Sequence, residues 1–156
     1  MQRLPLITLL CLACSAPQMT LAAEAQDCPF TADYLSQRLD KKLKVVTAGK
    51  GLLGKACEYA DESRSVKIAV DAGPNPAPSG EMWRKMSNPP GTKWDNVPND
   101  VDKAVTLASY PNGEPYPALS YERKGWLVTI NVMGVSGKAT VGQWNAKLVQ
   151  LKRLPE

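Results

Sequence analysis

Apolar residues recur along this chain with two periods. Leu35, Leu39 and Leu43 return every fourth residue with Tyr34 beside them, and Ser36, Gln37, Arg38, Asp40, Lys41 and Lys42 fill the other side. That spacing predicts an amphipathic helix over 32–44 with Thr31 as its N-cap. Val45 and Val46 lead out of it into the glycine-rich stretch 49–55, which reads as a turn. Cys57 and Tyr59, then Val66, Ile68 and Val70, alternate with polar neighbours. Period two predicts strands near 55–60 and 65–72, joined by the polar turn Asp61-Glu62-Ser63. Three more strands are expected over 104–110, 116–122 and 126–135, forming a meander. Asn112-Gly113 is a strong hairpin signal between the first two, and Arg123-Lys124-Gly125 is a tight turn between the last two. The run WLVTINVMGV is the longest and most apolar, so it is expected at the centre, with Gly134 at its end or at a bulge. Val141, Trp144, Leu148 and Leu151 share one helical face, predicting a helix over 141–153. Thr140 and Gln143 form a capping box in front of it, so Thr140→Ala should cost about 1 kcal/mol.

Residues 74–98 break the pattern. Pro74, Pro76, Pro78, Pro89, Pro90 and Pro98 lie there, and Ser79 is placed to cap one short helix over 81–86. The segment is too short for a second domain, and loops of this length inside a domain are usually functional or disordered. Met82, Trp83, Met86, Trp94 and Val97 argue against disorder. The expected fold is α+β: an antiparallel sheet of about five strands, with an N-terminal and a C-terminal helix on one face and a proline-rich loop at 74–98.

The amino terminus reads as an address. Met1-Gln2-Arg3 is followed by the apolar run LPLITLLCLA and then by small residues. A spanning helix needs about 20 apolar residues, so this run suits a signal peptide occupying 1–23. Cleavage is expected after Ala22 or Ala23, with Ala25 as an alternative, leaving one domain over 24–156. Cys11-Leu12-Ala13-Cys14 partly matches a lipoprotein box, which would attach lipid at Cys14 and anchor the protein to a membrane. The location expected is the bacterial periplasm or the medium. Cys28 and Cys57 then remain, and an even count in an oxidising compartment reads as a disulfide. Closing that loop should contribute about 3–4 kcal/mol.

Candidate chemistry is sparse. The chain has no histidine, which removes imidazole bases and histidine-built zinc sites. A net charge of +4 with both signs interspersed gives no footprint for nucleic acid. Gly49-x-x-x-x-Gly54-Lys55 begins like a phosphate-binding loop, but Ala56 stands where a magnesium-binding Ser or Thr is needed. Ser136 and Lys138 sit at a turn, and no G-x-S-x-G or S-x-x-K occurs. Glu58 with Glu62, and Asp100 with Asp102, are the carboxylate pairs a hydrolase would use; their polar contexts read as solvated. No catalytic residue, metal or cofactor is expected.

Aromatic residues are the better lead. Trp126 and Trp144 fall on apolar faces and are assigned to the core. Trp83 and Trp94 lie where no periodicity demands them, within a segment containing Met82, Arg84 and Met86, and Tyr110 and Tyr116 flank the hairpin turn. Interfaces favour these residue types. These seven residues are the candidate binding surface; the alternative is that the two tryptophans cap an open sheet face.

Cys28-Pro29 opening the first helix, Cys57-Glu58-Tyr59 before paired strands, Val101-Asp102-Lys103-Ala104 leading to a strand, and a closing hairpin form a pattern. It resembles small exported or lipid-anchored bacterial envelope domains with a PsbP-like α+β layout. The resemblance implies binding or scaffolding and carries no family active site. The function expected is therefore a non-enzymatic envelope binding protein whose partner is another envelope or secreted protein. The alternatives are an inhibitor or immunity protein against a secreted toxin or wall-degrading enzyme, and a carboxylate-dependent hydrolase.

Overall fold

In the computed structural model, which describes residues 27–111 and 113–156, ten elements follow one another. They are α1 (Ala32–Leu39), β1 (Lys44–Lys50), β2 (Lys55–Ala60), β3 (Lys67–Pro74), α2 (Gly80–Ser87), β4 (Lys93–Asn96), β5 (Val105–Ser109), β6 (Ala118–Arg123), β7 (Trp126–Met133) and α3 (Lys138–Val149). The expected leader, its cleavage sites and Cys14 lie outside the described residues, as does Asn112. Among the described residues no helix is long and apolar enough to cross a membrane.

The strands form one antiparallel sheet in the order β1-β2-β3-β7-β6-β5-β4. It has seven strands, not five. The two that sequence periodicity passed over, β1 and β4, are its edges. An edge strand with few buried side chains carries little alternation, and Lys93–Asn96 buries only part of Trp94. The meander β5-β6-β7 is present, with β7 central between β3 and β6, but β5 and β6 pair only at Val105–Ser120 and Thr106–Leu119 and are joined by 110–117, not by a tight hairpin turn. Gly134 ends β7 at φ 80°, and a Cβ there would lie 1.8 Å from the Ser65 carbonyl oxygen.

One sheet face carries the main core. Tyr59, Ile68, Val70, Tyr121, Val128, Ile130 and Val132 point to it and meet Leu35 and Leu39 of α1 and Trp144 and Leu148 of α3. Helix α1 stops five residues earlier than its leucine spacing suggests. Asp40 turns left-handed at φ 54°, and the Ser36 hydroxyl accepts the Leu43 amide at 3.0 Å, so Leu43 is buried from outside the helix. Lys147 of α3 donates to the Leu39 carbonyl at 3.1 Å, placing a cation at the α1 C-terminus. The disulfide Cys28–Cys57 ties the entry of α1 to β2. Helix α3 begins three residues before the expected boundary. Its N-cap is Gly137 at φ 84°, with no side-chain cap, so Thr140 lies inside the first turn and is not a cap. The predicted apolar seam holds through Val141, Trp144 and Leu148, but the helix ends at Val149, four residues before the expected boundary, and Leu151 is buried from beyond it. Trp144 is core, while Trp126 at the start of β7 is half-buried against it.

The opposite face has a smaller layer of its own. Helix α2, capped by the Ser79 hydroxyl as expected, lies across β6 and β7. A Cβ on Gly80 would come within 3.2 Å of the Leu127 side chain. Val105, Leu107, Ala118 and Leu127 are buried beneath this layer. The β1–β2 loop also folds onto this face. Asp71 accepts the amides of Leu52 at 2.9 Å and Leu53 at 3.2 Å, and Leu53 passes so close that a Cβ on Gly73 would sit 1.9 Å from its carbonyl oxygen. The glycine-rich stretch is therefore a hairpin loop pinned by a carboxylate, with Lys50 and Lys55 exposed.

Candidate functional site

The helix and the loop leave a cleft between them on this second face. Its floor is β7, where Thr129 and Asn131 alternate with core-facing Val128, Ile130 and Val132. One wall is α2 and the turn after it, bringing Trp83, Arg84 and Asn88. The other contributions are Trp94 from β4, Tyr110 and Tyr116 from the β5–β6 connection, and Leu52 from the pinned loop. The cavity is about 260 Å³. Five of the seven candidate residues, Trp83, Arg84, Trp94, Tyr110 and Tyr116, converge on it from three segments of chain. Met82 and Met86 do not. They lie one helical turn apart on the outer surface of α2, 46% and 70% exposed.

Three of the four rings have partners within the protein. The Arg84 guanidinium stacks 5.9 Å from the Trp94 ring centroid and donates to the buried Ser120 hydroxyl at 3.4 Å. Burial draws the Arg84 guanidinium below its usual value, and the charges of Glu81 and Glu122 oppose that. Glu122 also accepts the Gly80 amide at 2.9 Å, so a carboxylate sits at the N-terminus of α2. Tyr110 and Tyr116 meet edge to face, with centroids 5.8 Å apart, beside the bridge between Tyr110 and Gly113. Burial, with Tyr110 beside it, pushes the Tyr116 hydroxyl above its ordinary value.

The cleft continues in both directions. Past Arg84, Pro89 and Trp94 it opens into a hollow of about 430 Å³ that Lys85 and Asn96 also line. Past Thr129 and Asn131 it reaches the half of the sheet that α2 leaves uncovered, a depression of about 240 Å³ over Thr47, Ala56 and Ala69. The acidic side chains along this path are engaged: Asp71 by the loop amides, Glu58 by Lys67 at 3.5 Å and Glu81 by Lys85 at 2.7 Å.

Thr129, Asn131, Asn88 and Leu52 were not singled out from the sequence. The signal for the first two was available: two polar side chains in alternate positions of an otherwise apolar central strand mark a wet second face.

Neither candidate carboxylate pair is a solvated pair. Asp100 and Asp102, expected in solvent, have side chains only 11% and 10% exposed and are paired with arginine. Asp100 accepts from Arg153 at 2.5 Å, and Asp102 meets Arg123 at 3.1 Å. Burial works against the charge on Asp100, yet Arg153 and the amides of Ala104 and Asp102 hold its carboxyl below the usual range. A carboxylate so held stays ionised and does not serve as a proton donor. Glu58 lies on β2 beside Lys67, while Glu62 stands in the exposed turn. Among the described residues no group of three or more Cys, Asp or Glu side chains is arranged to hold a metal ion. Compared with family models, with curated proteins and with solved structures, the chain matches none.

Proposed function

We propose that this chain is an exported, non-enzymatic binding protein of the bacterial envelope, and that its ligand lies in the cleft between α2, the pinned loop and the Tyr110–Tyr116 turn. The observation that carries this reading is the convergence of Trp83, Trp94, Tyr110 and Tyr116 on one half-open cavity. Aromatic side chains that only served the core would be covered; these keep a face toward solvent. The disulfide and the leader-like amino terminus support export. The test is capture from envelope extract and from secreted fractions, with wild type and Trp83→Ala/Trp94→Ala side by side. A component retained by wild type alone supports the cleft as the site. Equal retention by both removes it.

A second reading, an inhibitor of a secreted enzyme, is favoured by Met82 and Met86. Exposed methionines on a protruding helix suit a protein contact. It predicts that Met82→Ser/Met86→Ser abolishes capture of one enzyme while the cleft variants retain it.

A further inference from the structure

We infer that the cleft takes a neutral saccharide chain, an inference that rests on the cleft being the binding site. The lining has two components that this ligand class needs together. The first is flat aromatic surface, from Trp83, Trp94 and the Tyr110–Tyr116 pair, against which the C–H face of a sugar ring packs. The second is polar groups around that surface with no internal partner. Among the described residues, the Trp83 and Trp94 indoles, both tyrosine hydroxyls, Thr129 and the Asn131 amide make no side-chain hydrogen bond. An asparagine amide offers a donor and an acceptor at fixed spacing, which matches neighbouring hydroxyls on a ring.

Charge narrows the choice. Among the described residues no carboxylate lines the cleft itself, which disfavours a cationic ligand. Among the described residues Arg84 is the one ionised side chain on its wall, and it is occupied by Ser120 and the Trp94 ring, with Glu81 and Glu122 balancing its charge. An anion would find no free cationic group at the floor. The acceptor inventory then separates a saccharide from the other common guest of aromatic clefts, a proline-rich peptide. The Asn88 Nδ2 donates to the Arg84 carbonyl at 2.9 Å and to the Ser87 hydroxyl at 3.3 Å, so what Asn88 has left for the cleft is its Oδ1 acceptor. A ligand donor can meet that acceptor in place of water. Sugar hydroxyls are donors, whereas a polyproline backbone has no N–H. The cleft also continues at both ends, as a chain of linked rings requires. Because the Trp94 ring is held by Arg84 and the two tyrosine rings by each other, little ordering of these three opposes binding.

The test is calorimetric titration of the disulfide-intact protein with cellotetraose, maltotetraose and the tetramer of N-acetylglucosamine, and separately with decaproline. Saturable binding of at least one tetrasaccharide is expected. Trp83→Leu, which keeps apolar bulk but no ring face, should weaken it by about tenfold or more, and Trp83→Tyr should keep most of it. Asn131→Ala, on the floor strand and not on α2, should also weaken it, so a folding defect at Trp83 does not decide the outcome. Absence of binding by all three sugars, or binding that Trp83→Leu leaves unchanged, overturns the inference. Decaproline binding that Trp83→Leu abolishes overturns the saccharide while leaving the cleft as the site. If envelope capture is equally indifferent to the cleft variants, the site itself falls.

Discussion

Asp100 and Arg153 show how single side chains fix the end of this chain. Arg153 joins Asp100, reaches Asp102 at 3.8 Å and stacks 4.8 Å from the Tyr121 ring, while the Tyr121 hydroxyl accepts the Leu154 amide at 2.9 Å. Arg153→Leu leaves two largely buried carboxylates without that partner and should cost about 3 kcal/mol in urea unfolding. Because the folded Asp100 carboxyl lies below its ordinary value, its contribution is present above about pH 4 and is lost as pH falls through the folded value. Tyr59 acts in the opposite direction. Burial pushes its hydroxyl up to about 12, and the hydroxyl donates to the Phe30 carbonyl at 2.6 Å, a bond the phenolate cannot make. The unfolded tyrosine loses its proton near pH 10 while the folded one keeps it. Stability should therefore fall from about pH 10 toward 12, by on the order of 2 kcal/mol. Tyr59→Phe should flatten that fall in an alkaline denaturation series; an unchanged slope would show that Tyr59 is not its source.

At the scale of elements, α3 separates a good pattern from a wrong boundary. Its apolar seam was legible because Val141, Trp144 and Leu148 bury one face whatever the cap. Its start was not legible. Thr140-x-x-Gln143 matches a capping box, but the chain enters the helix through Gly137 in a left-handed conformation. Thr140→Ala should accordingly change stability by less than about 0.5 kcal/mol, whereas Gly137→Ala should cost about 1 kcal/mol; thermal unfolding of the two variants distinguishes these. The α1 boundary was misread because Leu43 continues the leucine spacing while lying beyond the left-handed Asp40. Strands β1 and β4 were hidden for a different reason: as edges they bury too little to alternate. The disulfide was legible from cysteine count and compartment. Reducing it should lower stability by about 3–4 kcal/mol, since it closes a loop of sequence separation 29.

Across the whole molecule, the sheet is the device that assembles the cleft. Its first face buries the core under α1 and α3, which frees the second face to carry a partial layer with a gap in it. Trp83 and Trp94 were recognisable as unexplained aromatics, and Tyr110 and Tyr116 as aromatics at a turn. Their meeting was not readable, because it depends on β4 returning to the β5 edge and on α2 crossing β6 and β7. Trp83 and Trp94 are each partly covered and partly open, and Trp94 stands opposite Leu107 on the neighbouring strand. The chain has four tryptophans, so the indole N–H resonances of an isotope-labelled sample report on the cleft and the core at once. On adding the component retained by capture, the account predicts that the Trp83 and Trp94 indole signals shift while those of Trp126 and Trp144 stay in place. Shifts confined to Trp126 or Trp144, or none at saturating ligand, would contradict it.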